Sequence, residues 1–204
     1  MPISTTLLPA HHYRRERWRN QQGWTREILR VPAVEAYDWR VSIAEITQNT
    51  LFSPFPGCRR AQVLLQGAGL RLGFADAQPC ELHPPHGVIE FDGTTVASCE
   101  LHDGPVQVFN AIWNPARVSL QLLHRPLVGA MVFPGSIGCS WLLHLLAGAA
   151  STRGNDPVRL EAGDSLLLQP VPGARCTLDG AGELLALRIT AARFGHGPDS
   201  LSLV

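Results

Sequence analysis

The sequence predicts an all-β protein made of two small barrels, and three observations support this fold class. Apolar and polar residues alternate with a period of two in many short segments, as they do in half-buried β-strands. No comparable window carries a helical period. The 204 residues include 19 Gly and 16 Pro, well above the usual combined share of about 12%, as expected for a chain with many turns.

The candidate strands share this alternation and are separated by Gly, Pro, Asn and Asp turns. They span residues 25–30, 39–46, 61–66, 69–74, 88–91, 95–101, 106–113, 118–123, 129–133, 140–146, 165–169, 174–178 and 183–190. Short strands that follow one another in this way are typical of a β-sandwich or a barrel.

The two halves of the chain repeat one pattern, in which a strand ends at a tight Gly turn, a second strand follows, and Gly precedes a third strand. The segments are 63–67, 80–82 and 87–91 in the first half, and 144–148, 158–161 and 163–168 in the second. This order is typical of cupin-like jelly rolls. The sequence therefore predicts a double cupin-like (bicupin) β-barrel, with residues 1–114 and 115–204 as its two barrels, packed as one unit.

Charge and composition exclude several classes of function. The 17 acidic and 17 basic residues give a formal net charge of +0, which argues against a broad nucleic-acid-binding face. Every basic residue is Arg, so mechanisms that need a lysine are excluded. Membrane-spanning and signal segments are not recognisable, so we expect a cytoplasmic protein. Segment 14–19 interleaves Arg with Trp as some nucleic-acid binders do, but a solvated basic loop is the commoner interpretation.

Histidine spacing argues against a metal cofactor. A cupin metal centre typically uses His-x-His, then Glu, then a later His. This chain has adjacent His11 and His12, and a Pro-Pro turn between His83 and His86, but no His-x-His. The sequence therefore predicts no bound metal and no other cofactor, with histidines at the surface or in turns.

Strand 39–46 carries a candidate anion-binding face. Alternation places residues 39, 41 and 43 against a core, and Arg40, Ser42 and Ala44 on the opposite face. Arg40 could hold a carboxylate through its guanidinium fork. Alternatively, it pairs with Glu27 or Asp38 in a structural network, and both interpretations stay open.

Three further polar positions are candidates. Glu27 lies on a half-apolar face and needs a partner, for which an Arg of the neighbouring strand is the simplest choice. Asn110 shares its face with apolar residues, so it either satisfies backbone groups or points at a ligand. Arg59 and Arg60 follow a Pro-Gly turn and precede a strand, so one of them is expected to point inward.

Three blocks of sequence resemble the HutD/Ves family. They are WRNQQGWTREI at 18–28, WRVSIA at 39–44 and FSPFPGCRR at 52–60, in family order and with family-like spacing. Shorter matches extend the resemblance to residue 114, after which it fades. One departure is that HutD proteins often carry Asn-Gly-Gly-Gly where this chain has Asn20 followed by Gln21-Gln22-Gly23. The bulkier pair changes a loop that could approach a ligand closely.

The resemblance implies a double-cupin-like fold without the usual metal ligands. It also implies a small-molecule-binding protein that modulates histidine catabolism, with a carboxylated ligand such as urocanate or formylglutamate. Carried over by position, it places the ligand-binding residues at Trp18, Asn20, Thr25, Glu27, Arg40, Ser42, Ser53, Phe55, Arg60 and Asn110. Two alternatives stay open: a metal-independent enzyme with Glu27 as general base, and a structural or interaction protein with a vestigial pocket. The assembly state, a homodimer included, is also open.

Overall fold

The computed structural model describes residues 4–18, 21–169 and 172–192. Within these ranges the chain forms β-strands and one short 3-10 turn, Ala10–His12. The strands are β1 (Ser4–Leu8), β2 (Arg14–Arg17), β3 (Gly23–Val31), β4 (Trp39–Ile46), β5 (Thr50–Phe52), β6 (Arg59–Gln66), β7 (Leu70–Phe74), β8 (Cys80–Leu82), β9 (Val88–Asp92), β10 (Ala97–Leu101), β11 (Val106–Trp113), β12 (Val118–Pro134), β13 (Cys139–Thr152), β14 (Arg159–Glu161), β15 (Ser165–Gln169) and β16 (Arg175–Ala191). No helix in the described ranges has the length and apolar character that crossing a membrane requires.

The strands form three antiparallel sheets. The middle sheet has the order β2-β3-β4-β11-β6-β9, and the outer sheet has the order β5-β10-β7-β8. Together these two sheets make up the N-terminal barrel. The C-terminal sheet has the order β1-β15-β13-β16-β12, with β14 paired to β13. The all-β prediction is confirmed.

The middle sheet buries both of its faces, as strand β4 illustrates. Trp39, Val41 and Ile43 point into a core shared with β12, β13 and β16 of the C-terminal sheet. Ala44 and Ile46 point into a second core, shared with the outer sheet. Val41 and Ile46 are both 0% exposed, and full burial of such a side chain contributes about 1.5–3 kcal/mol. The parity predicted for this strand is confirmed.

The C-terminal sheet contains longer strands than the sequence predicts. β12 joins the predicted segments 118–123 and 129–133, and β16 joins 174–178 and 183–190. Gly148 of β13 lies opposite Gly182 of β16, and a Cβ on either would lie 1.9 Å from a backbone oxygen of the facing strand. Both glycines have positive φ, so the strands can bend here and side chains of this one sheet enclose a core of their own. The bends interrupt the alternation, so the predicted segment of β13 ends early, at residue 146, and that of β16 is divided in two.

The first strand of the chain belongs to the C-terminal sheet. β1 pairs with β15 from Ser4 to Leu8, although it precedes the middle sheet in sequence. The middle and C-terminal sheets also share the core that contains Trp113 and Leu120. The division into 1–114 and 115–204 stays a prediction about folding units, and the two segments are joined both by a strand pair and by a core.

The basic segment at the N-terminus is an edge strand rather than the solvated loop that we expected. β2 pairs with β3 at the border of the middle sheet. Arg15 Nη2 lies 2.8 Å from Glu45 Oε2, and the Arg15 guanidinium carbon lies 4.2 Å from the ring centroid of Trp24. These contacts to an acid and to an aromatic face hold the exposed Arg15 cation against the surface of the sheet.

Candidate ligand-binding site

A cavity of about 510 Å³ opens inside the N-terminal barrel. Inward side chains of β3, β4, β6 and β11 form its wall, and the end of β2 with residues 51–55 completes its lining. It is lined by Glu16, Arg17, Trp18, Thr25, Arg40, Ser42, Ala44, Leu51, Phe52, Ser53, Phe55, Arg60, Gln62 and Asn110. Eight of the ten residues that the family resemblance implies are among them. Of the other two, Glu27 is not in the lining, and Asn20 lies outside the described residues.

Arg60 is a buried cation in the wall of this cavity. It is 5% exposed, and its guanidinium carbon lies 5.1 Å from the ring centroids of Phe52 and Phe91 and 5.2 Å from that of Phe55. Its Nη2 donates to Asn110 Oδ1 at 3.3 Å, whereas Nε and Nη1 have no hydrogen-bond partner among the described residues. A buried donor without a partner costs about 1–3 kcal/mol. Arg60 therefore holds buried N–H groups that no described residue satisfies, in a side chain that lines the cavity.

The charge of Arg60 persists despite its surroundings. Burial lowers its pKa to about 10, with an opposing influence of Tyr37 and a further lowering by Arg40. A pKa of this size leaves the guanidinium protonated at neutral pH. A cation held in an aromatic, water-poor position favours an anionic partner, and carboxylates accept charge-assisted hydrogen bonds from Arg in pairs. The site is therefore suited to a small carboxylate.

A row of polar side chains crosses the middle sheet beside Arg60. The strand register pairs Ser42 of β4 with Asn110 of β11, and Asn110 with Gln62 of β6. Asn110 Oδ1 also accepts from Gln62 Nε2 at 3.5 Å, and Gln62 Oε1 has no partner within the described part of the chain. Asn110 thus accepts hydrogen bonds from two side chains at the cavity wall, and its role toward a ligand stays a prediction. At 3.3 and 3.5 Å, the hydrogen bonds to Asn110 Oδ1 are long and therefore weak.

Glu27 and Arg40 belong to an ion-pair cluster with Arg30. Glu27 Oε2 lies 2.6 Å from Arg40 Nε, and its Oε1 lies 2.9 Å from Arg30 Nη2. Burial alone would raise the pKa of Glu27, but hydrogen bonds from Arg30 and the charge of Arg40 outweigh it and lower that pKa. Of the two interpretations open for Arg40, the geometry shows the pairing with Glu27. Arg40 still lines the cavity, but much of its charge is compensated there.

The rim of the cavity contains the first sequence block of the family resemblance. Trp18 Nε1 donates to Thr25 Oγ1 at 2.8 Å, and the Trp18 ring centroid lies 6.1 Å from that of Phe52. Asn20 lies outside the described residues. Gln21 has a φ of 60°, in the left-handed region that favours glycine. The loop thus keeps a glycine-like conformation at a position where HutD proteins often carry Gly.

Three residues around Arg60 were not among the predicted site residues. Gln62 is two positions from Arg60 and shares its face of β6, so strand parity alone would have found it. Phe91 lies opposite Arg60 in β9, and Phe52 comes from the outer sheet. Finding these two aromatic residues requires the strand pairing and the packing of one sheet on another.

Comparisons with known proteins identify relatives over most of the chain. The HutD family model matches residues 10–186. An uncharacterized 21.2 kDa protein in the hutC 3′ region of Pseudomonas putida is 34% identical over 185 residues, which are 85% of this chain and 95% of that protein. Protein Ves from Escherichia fergusonii is 35% identical over 92 residues, 45% of this chain and 48% of Ves.

The fold also matches a solved structure. HutD from Pseudomonas fluorescens SBW25, in a formate condition, is similar with a TM-score of 0.78 and 27% sequence identity, over 93% of this chain and 100% of that one. The fold is a cupin-like jelly roll. The residues that line the cavity include one carboxylate, Glu16, and no His or Cys. This donor set does not fit the imidazole-rich metal centre typical of cupins.

Proposed function

Because this chain belongs to the HutD family, we propose that it binds a small carboxylated metabolite and thereby modulates histidine catabolism. Family membership links the chain to histidine utilisation. The finer proposal rests on one observation, the buried guanidinium of Arg60 with unpaired N–H groups in the wall of a cavity. Urocanate and formylglutamate are the candidate ligands. The cavity of about 510 Å³ has the size of a small-molecule pocket, which is typically about 300–1,000 Å³.

In this proposal, each part of the cavity has a distinct task. Arg60 donates charge-assisted hydrogen bonds to the ligand carboxylate, each worth about 1.5–3 kcal/mol. The rings of Phe52 and Phe55 exclude water from that contact and pack against the apolar part of the ligand. Asn110 and Gln62 offer amide groups to the remaining polar atoms. Binding would therefore satisfy polar atoms that the unliganded protein leaves unpaired.

A metal-independent enzyme with Glu27 as general base receives less support. A base that works near neutral pH needs a raised pKa, whereas hydrogen bonds from Arg30 and the charge of Arg40 lower that of Glu27. Glu27 is also not among the residues that line the cavity. A binding role for the site needs no such base.

Calorimetric titration of the full chain with urocanate and with formylglutamate tests the proposal. We expect saturable binding of one of them, and a loss of about 10- to 150-fold in affinity when its carboxylate is replaced by a carboxamide. Arg60→Gln should lose affinity by a similar factor. Arg59→Gln is the matched control, because Arg59 is exposed and pairs with Glu90 at 2.8 Å.

Two results would contradict the proposal. The first is an absence of saturable binding by either metabolite, with thermal melts confirming that the protein is folded. The second is binding that Arg60→Gln leaves unchanged, which would place the ligand elsewhere. Equal weakening by Arg59→Gln would also show that general charge, and not the cavity, controls binding.

A further inference from the structure

Two histidines and a glutamate meet outside the cavity, at the contact between the two halves of the chain. His86 lies in the turn between β8 and β9, His124 in β12 and Glu183 in β16. The Nε2 atoms of His86 and His124 each lie 3.1 Å from the same atom, Glu183 Oε2. The two imidazole centroids are 4.8 Å apart. Three elements far apart in sequence thus direct three potential ligand atoms at one point.

The hydrogen bonds of His86 identify which ring nitrogen is available. Its Nδ1 lies 3.1 Å from the backbone oxygen of Leu64, and because a carbonyl oxygen only accepts, Nδ1 carries the proton. In the neutral ring Nε2 is then a bare lone pair, and it faces a carboxylate oxygen of Glu183. Two acceptors at 3.1 Å repel unless a proton or a metal ion lies between them.

The arrangement fits a metal ion in both chemistry and geometry. Zn²⁺ binds imidazole nitrogen and carboxylate oxygen at about 2.0–2.2 Å, so neighbouring ligand atoms of a tetrahedral site are about 3.3 Å apart. Both nitrogen–oxygen separations are 3.1 Å, and all three ligand atoms lie within 4.8 Å of one another. A metal-binding His typically donates its other N–H to a backbone carbonyl or a carboxylate, as His86 does.

We propose that His86, His124 and Glu183 bind Zn²⁺ or a chemically similar divalent transition metal. Two nitrogen ligands disfavour Mg²⁺ and Ca²⁺, which prefer oxygen. The side chains are 18%, 36% and 45% exposed, so an ion can reach them and a water molecule can take a fourth position. The ion would tie a turn of the N-terminal barrel to two strands of the C-terminal sheet.

This site departs from the expectation of a metal-free protein. The prediction of a metal-free protein was based on the absence of the cupin His-x-His motif, whose ligands all lie within one barrel. Here His86 comes from one half and both other ligands from the other half. No short sequence motif spans such a set, since the ligands meet only after the halves have packed.

A second cluster provides a control of the same composition. His83 and His102 each place Nε2 near Glu81 Oε2, at 3.3 Å and 3.0 Å. The two glutamates are almost equally exposed, but His83 is 63% exposed, so ordering His83 around an ion costs more conformational entropy than ordering either histidine of the first cluster. We expect this exposed cluster to bind metal more weakly.

Cobalt titration of the untagged full chain, after treatment with a chelator, tests the proposal. We expect one equivalent of Co²⁺ to bind at neutral pH with the visible d–d absorption of a low-coordinate site, and Zn²⁺ to displace it. We expect weaker Co²⁺ binding, by at least about tenfold, in each of His86→Ala, His124→Ala and Glu183→Gln. Removing a residue that only supports a metal ligand already costs about 10- to 100-fold in affinity, and removing a ligand should cost no less. His83→Ala should leave the affinity unchanged.

Thermal melts with and without metal provide a second readout and show that each variant is folded. The parent protein and His83→Ala should melt at a higher temperature with Zn²⁺ than without it, whereas His86→Ala should not respond. The proposal is overturned if no stoichiometric binding occurs, which would leave an imidazolium–carboxylate pair at this position. Binding that survives His86→Ala but is lost in His83→Ala would overturn it as well.

Discussion

Replacing Arg60 by methionine should separate the stability of the protein from its ligand binding. Met has a similar length and no charge, so Arg60→Met removes the guanidinium while filling much of its volume. We expect the free energy of unfolding of the unliganded variant to stay within about 1 kcal/mol of the parent value, and carboxylate binding to be lost. Loss of binding without loss of stability is typical of a residue that is retained for function.

The magnitude follows from the contacts of the side chain. The substitution removes Nε and Nη1, which lack hydrogen-bond partners among the described residues and cost about 1–3 kcal/mol each. Against this, it removes the attraction between the cation and three phenylalanine rings, at 5.1–5.2 Å, worth about 0.5–2 kcal/mol for each contact. It also removes the hydrogen bond to Asn110, which is weak at 3.3 Å. The two unpaired donors amount to about 2–6 kcal/mol and the three ring contacts to about 1.5–6 kcal/mol, so relief and loss nearly cancel.

Urea unfolding monitored by tryptophan fluorescence measures this difference, with calorimetry for binding. Arg59→Met is the matched control, since Arg59 is exposed and its ion pair with Glu90 contributes at most about 1 kcal/mol. A loss of more than about 1 kcal/mol in unliganded Arg60→Met would refute the reasoning, because Arg60 would then be satisfied within the protein. Retained binding would refute it independently.

The other predictions concern an ion pair, a buried histidine and the relation between the halves. Arg40→Met should lower the free energy of unfolding, measured in urea, by only about 1–2 kcal/mol, because Glu27 keeps its hydrogen bonds to Arg30. A buried charge left without any partner would cost roughly 3–5 kcal/mol. A loss of that size would show that Arg30 does not compensate Glu27. Burial lowers the pKa of His144 to about 4, so the unfolded chain binds a proton first as the pH falls. Stability should therefore be complete above about pH 6.5 and decrease by about 3 kcal/mol toward pH 4. His144→Asn should flatten this profile in urea melts, and an unchanged profile would assign the acid sensitivity to other groups. A fragment of residues 1–114 should show no cooperative thermal melt, because it lacks the partner of β1 and one side of a shared core; a two-state melt of the fragment would show independent domains.

Local sequence pattern was sufficient for the fold class and for part of the site. Alternation follows from the geometry of a single strand, so it predicted the bounds of β4 and β11 as the structure has them, and placed Arg40 with Ser42 on one face. It failed in β12 and β16, where bending at glycines interrupts the period. The resemblance in residues 18–114 indicated most of the side chains that line the cavity, because they lie on a few strands of one sheet.

The tertiary structure decided which of these polar groups is free to bind. From sequence, Arg40 was the main candidate for binding a carboxylate, and Arg60 was a secondary one. Packing compensates the first with Glu27 and surrounds the second with aromatic rings, leaving two of its nitrogen atoms without a partner among the described residues. The meeting of His86 with Glu183 is also a product of packing. The physical reason is that strand parity depends on neighbouring residues alone, whereas charge compensation and burial depend on which distant segments come together.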